Sequence, residues 1–444
     1  MMKPKLVTIF EHDYIVRDSG ELSDHDFDKL YSYVCNENQK AENNSSVDTW
    51  LLKPCSNNGK QALKATQYIG IIQFDDGVVL EILPKLFKTK QGSPQEQTPE
   101  KQARELVLKM LRTLKSANFK NIHCAGLDFA KMHLLDIFIW MFLDEVDSIV
   151  KQGIKHKYIE REDNLSFFKG KLLVNQNIAK NYGLMHKNYM QYDDYLPNIP
   201  ENRLIKSALG YLLKTCKSSR LLQEIRKSYF IFDEVSNSLN VQQDYTQCNK
   251  NSRIFSHYQN ALEWAMMFLA GKSFTSQVGS HSVKSLLFDM NKLFEGYVSH
   301  HVQNVSDYTD IYTQKRDHYL VYVSDEGSNN YGRMKLIPDL KFMHASKLII
   351  ADTKWKMIQK DNDLSQADFY QMFAYYSKYK DKDKEHNENV EIWLIYPKHD
   401  EINNRCDITQ QYIFDNNKQA DPQAKLDLQI KFFDFDSDAL MEFN

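Results

Sequence analysis

Between residues 336 and 356 the chain reads LIPDLKFMHASKLIIADTKWK, two strand-like runs joined by a short polar turn around His344 to Lys347. This local hairpin constrains the fold more than any other stretch. Pro338-Asp339 lies in the first run and Asp352-Thr353-Lys354 in the second, so pairing brings two carboxylates and one ammonium to one edge of a sheet. Asp352 directly follows the apolar run Leu348-Ile349-Ile350-Ala351. An acid in that position needs a partner, because burying an unpaired charge is costly. Alternation places Asp352 and Lys354 on one face, beside Asp339. One reading is a structural Asp352–Lys354 ion pair. The other is a site whose acidic oxygens hold Mg²⁺ (or Mn²⁺), with the lysine beside a phosphate. The tripeptide D-x-K alone decides nothing, since Asp381-Lys382-Asp383-Lys384 repeats it in what reads as a solvated loop.

The remaining chain is long enough, at 444 residues, for two or three domains. Residues 1–100 read as mainly β with one helix. Leu6 to Val16 and Val47 to Lys53 look like strands, and Ser23 caps a helix with Phe27, Leu30, Tyr31 and Val34 on one face. QYIGIIQF and VVLEILPKL flank Asp75-Asp76-Gly77, a hairpin turn. Asn36 to Ser46 and Lys88 to Glu100 read as exposed polar loops, the second ending in the helix start Thr98-Pro99-Glu100. Residues 101–275 read as a mainly helical middle region, with LSFFKGKLLV at 165–174 as its one short β element. GKSFTSQVGSHS is a linker, and residues 276–444 form a C-terminal α/β module. The fold class expected is therefore α+β and multidomain.

Charge is segregated along the chain. Residues 150–275 carry 18 Lys/Arg against 11 Asp/Glu, whereas residues 361–444 carry 9 against 18. The basic middle is either a phosphate-facing surface or a solvated helical one. Six scattered cysteines without a CxxC pair argue against a zinc ribbon or disulfide framework and fit a reducing cytoplasm. The most apolar helix, His133 to Val150, is broken by Asp136, Asp144, Glu145 and Asp147. A membrane span needs roughly 20 mostly uncharged residues, so this is a buried helix. Gly271-Lys272-Ser273 lacks the upstream glycine of a phosphate-binding loop, since position 266 is methionine.

Within the C-terminal module a helix, Leu287 to Val302, carries Glu295; strands follow near Tyr308 to Lys315 and His318 to Ser324, then the hairpin. A second helix, Ser365 to Lys378, contains Gln371 and Tyr375, four apart and so on one face, before the strand Val390 to Tyr396. This α-β-β-β-α-β order, with the acid-acid-lysine set, resembles the PD-(D/E)xK metal-dependent nucleases, and the QxxxY helix resembles their RecB-like branch. The resemblance implies a restriction-endonuclease-like core with Asp339, Asp352 and Lys354 catalytic. Glu295, Asp339 and Asp352 would be metal ligands, with Gln371 and Tyr375 orienting substrate or the lysine. Glu295 as a surface residue and Tyr375 as an ordinary core residue stay open. His300-His301 diverge on their helix and read as structural.

LFDMNKLFEGYVSHHV, LIPDLKF, ADTKWK and DFYQMFAYY, with PENRLIKSAL, LSFFKGKLLV and GIIQFDDGVVLEILPKL upstream, resemble the McrC family. These are the endonuclease subunits of McrBC-type, 5-methylcytosine-dependent restriction systems. The resemblance implies a McrB-like AAA+ GTPase hexamer as partner, docked by the N-terminal half of the chain, which stimulates GTP hydrolysis. It implies double-stranded DNA, methylated or not, as substrate, and no membrane. Lys169, Lys171 and Arg203 are candidates for DNA-backbone contacts, against a fold-maintaining pairing of Arg203 with Glu201. A stand-alone RecB-like repair nuclease and a non-catalytic activator of a AAA+ partner are the other readings.

Overall fold

A computed structural model describes residues 6–44, 50–74, 78–88, 98–113, 132–216, 218–248, 253–270, 283–316, 318–324, 330–382, 390–399, 408, 411–412 and 428–441. The architecture is mixed α and β with several sheets, in agreement with the expected class. Two compact units are formed, one from Met1–Val7, Ile71–Leu80 and Cys124–Leu286, the other from Thr8–Gly70, Glu81–His123 and Leu287–Asn444.

The chain opens with β1 (Leu6–Phe10) and β2 (Tyr14–Val16), two strands where one was expected, because residues 11–13 turn between them. Helix α1 (Asp24–Asn44) begins as predicted: Ser23 Oγ accepts the Asp26 N–H at 3.2 Å, and Phe27, Leu30 and Val34 are buried. It continues through Asn36 to Asn44, which the sequence suggested was loop. That segment lacks an apolar stripe, yet its Glu, Gln, Lys and Ala residues favour helix intrinsically. Strands β3 (Leu52–Asn57) and β4 (Lys60–Ala65) form a hairpin, with the order β2-β4-β3. Next come β5 (Tyr68–Phe74) and β6 (Val79–Leu83), neighbours as expected, although their turn at Asp75-Asp76-Gly77 lies outside the described residues. So do Val47 to Thr49, the loop residues 89–97, and the linker with Gly271-Lys272-Ser273. Helix α2 (Pro99–Leu111) starts at the predicted proline and buries Leu106, Val107, Met110 and Leu111.

The middle region is helical with a correction. Helices α3 (Leu134–Gln152), α4 (Val174–Asn181), α5 (Pro200–Thr215), α6 (Ser219–Ile231), α7 (Val241–Gln247) and α8 (Gln259–Ala270) are accompanied by a sheet of order β7-β9-β8. Its strands are β7 (Lys157–Leu165), β8 (Lys171–Leu172) and β9 (Asn188–Leu196). Nine residue pairs join β7 to β9, far more sheet than the single short element expected. Gly170 is the glycine turn anticipated there: its φ is +76°, and a Cβ would lie 2.3 Å from the Gln191 carbonyl oxygen. On α3, Phe138 and Phe142 meet Trp264 and Phe268 of α8, each pair at 5.7 Å. No described helix is long and apolar enough to cross a membrane.

Strand β10 (Val283–Asp289) joins β1, β6 and β5 in the order β1-β6-β5-β10. Helix α9 (Met290–Val302) therefore starts three residues later than expected, capped by the Asp289 side chain, which accepts the Asn291 N–H. After it come β11 (Tyr308–Thr313), a separate hairpin of β12 (His318–Ser324) and β13 (Asn330–Leu336), β14 (Leu340–His344) and β15 (Lys347–Thr353). Helix α10 (Gln366–Lys382), β16 (Val390–Pro397), β17 (Gln411–Tyr412), β18 (Leu428–Asp434) and β19 (Ala439–Leu440) complete the module. The large sheet runs β11-β14-β15-β16-β18-β17, with β19 on β18. β15 pairs antiparallel with β14 and parallel with β16, and β16 is parallel with β18. Alternation then sorts the side chains. Leu348 and Ile350 of β15 join Ile392, Leu394, Ile430 and Phe432 under Met372, Tyr375 and Tyr379 of α10. On the opposite face Phe433 packs edge-on against Phe294 and Tyr297 of α9, at 6.4 and 5.6 Å.

Candidate active site

The expected hairpin is β14–β15. Its register, Leu340↔Ala351 to His344↔Lys347, is closed by Ala345 and Ser346, both at positive φ (47° and 62°). Two left-handed residues match the right-handed twist of the flanking strands. Six of the seven β15 residues are buried, as its apolar run requires between two paired neighbours. The run carries Asp352 to 2% exposure. Asp339 lies just before β14 and Lys354 just after β15, one residue outside the strands in which they were read.

Asp339 Oδ2 accepts two bonds from Thr353, the backbone N–H and the hydroxyl, each at 2.7 Å. These fix the start of β14 against the end of β15. Even-numbered parity then aims Asp352 and Lys354 at α10, where Lys354 Nζ meets Asp352 Oδ2 at 2.5 Å. Gln371 completes the contact. Its Oε1 accepts from Lys354 Nζ at 2.9 Å, while its Nε2 donates to Asp352 Oδ1 at 3.1 Å and to the Tyr375 hydroxyl at 2.9 Å. Tyr375 in turn donates to the Ile337 carbonyl at 3.0 Å, two residues before Asp339. Gln371 thus accepts from the lysine and donates to the acid and the phenol, which fixes its amide orientation. The ion pair read from the sequence is thus present, inside a larger network.

Glu295 stands on the half-buried side of α9 and accepts from Gln314 Nε2 at 2.7 Å. Burial, and then the charge of Asp339, push its carboxyl up to about 7. Asp352 is likewise pushed up to about 7 by burial, then by Asp339, with Glu295 adding to the effect. Asp339 is raised by burial against the bonds from Thr353 and the charge of Lys354. Burial pulls the Lys354 ammonium down, but Asp352 outweighs it and the net shift is upward. Three carboxylates that repel one another are therefore gathered here, two of them, Asp339 and Asp352, beside Lys354. Among the described residues no three or more His, Cys, Asp or Glu side chains are arranged to hold a metal ion. The three carboxylates are instead turned to Thr353, Lys354 with Gln371, and Gln314. Their chemistry, hard oxygens with unrelieved repulsion, nevertheless suits a divalent cation such as Mg²⁺ or Mn²⁺.

Thr353 and Gln314 were not singled out by sequence. Thr353 sits between two residues that were, so only its role was missed. Gln314 pairs 19 positions from Glu295 and has no local signal. Two of the three candidate cations of the middle region are committed locally. Arg203 binds Asp244 through Nη2 at 2.6 Å and Nε at 3.2 Å, with the charge of Glu201 also acting on it, and Lys169 binds Asp194 at 2.9 Å. Lys171 is exposed on β8. His301 packs on Tyr297 at 4.5 Å, in keeping with a structural role.

The chain is similar to chains in two solved complexes. One is the refined half-complex from the tetradecameric assembly of Thermococcus gammatolerans McrB AAA+ hexamers with bound McrC. The TM-score is 0.67 at 16% identity, over 99% of this chain and 97% of that one. The other is the T. gammatolerans McrBC complex, with a TM-score of 0.50 at 19% identity, over 67% of this chain and 87% of that one. At these identities the likeness is one of fold. A comparison with curated proteins gives no match. The sequence profile of the McrBC 5-methylcytosine restriction system component matches residues 63–397, well over half of the chain. The protein belongs to that family of McrBC restriction system components.

Proposed function

We propose that the chain is the DNA endonuclease subunit of a modification-dependent restriction complex, hydrolysing phosphodiester bonds at a PD-(D/E)xK-type core. In the cytoplasm it would act on double-stranded DNA, methylated or unmethylated, with a McrB-like AAA+ GTPase hexamer whose hydrolysis it stimulates. The observation that carries this reading is the buried ring of Asp352, Lys354, Gln371 and Tyr375 beside Asp339. A lone ion pair kept for stability needs no second and third acid nearby. Surrounding one lysine with mutually repelling carboxylates costs stability, a pattern typical of catalytic sites.

Asp339 and Asp352, with Glu295 behind them, would hold Mg²⁺ or Mn²⁺. When bound, the ion supplies polarisation of the phosphodiester and a lower pKa for water. Lys354, fixed by Asp352 and Gln371, presents its ammonium to phosphate oxygens as negative charge builds there. Tyr375 locks the Gln371 amide, so that its oxygen keeps facing the lysine and its nitrogen keeps facing Asp352. Thr353 holds one oxygen of Asp339, which fixes the plane of that carboxylate. Water attacks directly and the product is a cut DNA strand, with no covalent enzyme intermediate.

Support for a protein partner comes from residues 157–196. Phe167, Phe168, Ile178, Tyr182 and Met185 are 58%, 72%, 60%, 91% and 100% exposed. Large apolar groups so exposed are what a partner surface covers, and the relatives of similar fold are bound to McrB hexamers. The test is to mix the chain with its GTPase and assay cleavage of methylated and unmethylated plasmid. Mg²⁺ and GTP are each supplied or withheld. Cutting that needs both supports the proposal, and dependence on methylation names the signal. Cutting with metal alone would make it a stand-alone repair nuclease. Stimulated GTP hydrolysis without cutting of either plasmid would make it a non-catalytic activator.

A further inference from the structure

Behind the β15 strand end, one buried acid is bonded to the residue that follows Lys354. Glu11 is 1% exposed in the turn after β1. Its Oε2 accepts the Trp355 indole N–H at 2.9 Å and the Lys85 backbone N–H at 3.0 Å. Its Oε1 is buried without a hydrogen-bond partner among the described residues. Burial raises the Glu11 carboxyl, against the charge of Lys85 and the bond from Trp355. An acid at this depth is expensive, and a Gln or a hydrophobe would fill the space at lower cost. Its only side-chain donor in this set is Trp355, 344 positions downstream.

Trp355 is placed to transmit what Glu11 fixes. Alternation sends Asp352 and Lys354 toward α10, and Thr353 and Trp355 toward the opposite face. There the Trp355 ring, 3% exposed, lies 5.4 Å from Phe294 and 6.3 Å from Phe435. Phe294 directly precedes Glu295 on α9. The flanking residues are pinned as well: the Lys354 backbone N–H bonds to the Ile395 carbonyl at 2.9 Å, and the Lys356 side-chain Nζ to Asp368 at 2.7 Å. The indole nitrogen is thus a buried polar handle on the back of the segment that carries the lysine, beside the Thr353 hydroxyl on Asp339 and the Trp355 carbonyl, which accepts from Lys85 Nζ at 3.4 Å.

We propose that Glu11 is a positioning residue of the nuclease site, acting through the Trp355 indole on both Lys354 and α9 with its Glu295, a role that rests on the nuclease reading above. Loss of the bond lets the indole rotate. The lysine then leaves the end of β15 in a broader range of directions, and the α9 acid loses its fixed separation from Asp339 and Asp352. A displacement of about 1 Å at such a site costs up to about a hundredfold in rate.

The test uses the full-length chain assembled with its GTPase, and four variants: Glu11→Ala, Glu11→Gln, Trp355→Phe and the Ala/Phe double. Cleavage kcat and the KM for DNA are measured, together with hydrogen exchange of the amides of residues 352–356 in the isolated chain. Glu11→Ala and Trp355→Phe are each expected to lower kcat at least about tenfold with KM unchanged, and to speed exchange at Lys354. The double variant should be no worse than the worse single, since both remove one bond. Glu11→Gln should stay near wild type, because its amide oxygen still accepts. Should Glu11→Ala fail to fold, Trp355→Phe, which keeps the ring packing, decides alone. Wild-type kcat and exchange in Trp355→Phe, or additive losses in the double variant, would overturn the proposal. If the wild-type complex does not cut at all, the nuclease reading falls, and unchanged exchange in Trp355→Phe would separately dismiss the positioning role.

Discussion

Strand β15 and the β7–β9 sheet break the ordinary distribution of residues in opposite senses. At β15 the apolar residues are inside as expected, but the strand ends by taking Asp352 to 2% exposure beside Asp339. In residues 157–196 strands β7 and β9 pair along their whole length, yet Phe168 and Met185 between them stand 72% and 100% exposed. Neither arrangement is what stability would select. Buried like charges cost folding free energy, and exposed aromatics gain none. Each departure is understandable when something outside the chain completes it: a cation and phosphate at the first, a protein surface at the second. The chemistry and the docking would thus be assigned to separate regions, and substitutions should separate them.

The largest effect belongs to the acids and the lysine. Asp339→Ala or Lys354→Ala should lower cleavage by at least about a thousandfold, while stimulation of the GTPase is unchanged. Measuring both activities on one preparation checks this; a parallel fall in the two would collapse the distinction between the regions. Next in size is the converse variant, with Phe167, Phe168 and Met185 all changed to Ser. Stimulation and cleavage should fall together by about a hundredfold, and thermal unfolding of the isolated chain should hardly move, because the three side chains bury little surface. A large loss of stability would mean that they are structural.

Glu145 sharpens the comparison as a control. It is a half-buried acid on α3, pushed up to about 7 from 4.5 by burial, then by Asp144 and Glu263, although Asn260 donates to it. Here a raised carboxyl has no role in the proposed reaction. The folded state holds this proton longer than the unfolded chain does. Stability contributed at the site is therefore lost as pH rises from about 4.5 to about 7, and is flat above. The size is about 2 kcal/mol after allowance for solvent screening. Glu145→Gln should flatten that part of the unfolding profile and leave cleavage alone. The smallest effect is expected of Gln371→Ala, about tenfold in kcat, because Asp352 still holds Lys354 when the bridging amide is gone.

What could be read from the sequence follows the range of the interactions. Asp339, Asp352 and Lys354 lie within one hairpin, and Gln371 and Tyr375 are separated by one helical turn, so periodicity alone brings each set together. The bond of Gln314 to Glu295 and that of Trp355 to Glu11 span 19 and 344 positions, and only tertiary structure reveals them. The β7 sequence KYIEREDNL is almost wholly exposed and shows no alternation, so its strand is set by pairing with β9 rather than by an apolar face. The tail of α1 erred in the other direction: without an apolar stripe it reads as loop, while residue propensity continues the helix. The likeness to restriction-system components was carried by the motif-bearing stretches and is borne out over residues 63–397.

The most direct measurement is a separation of activities at the most buried acid. Wild type and Asp352→Ala, each assembled with the GTPase, are given plasmid DNA, Mg²⁺ and GTP, and cutting and GTP hydrolysis are followed in the same tube. The expected result is cutting by wild type alone, with equal stimulation of GTP hydrolysis by both. Cutting by Asp352→Ala at the wild-type rate would contradict the assignment of catalysis to the end of β15.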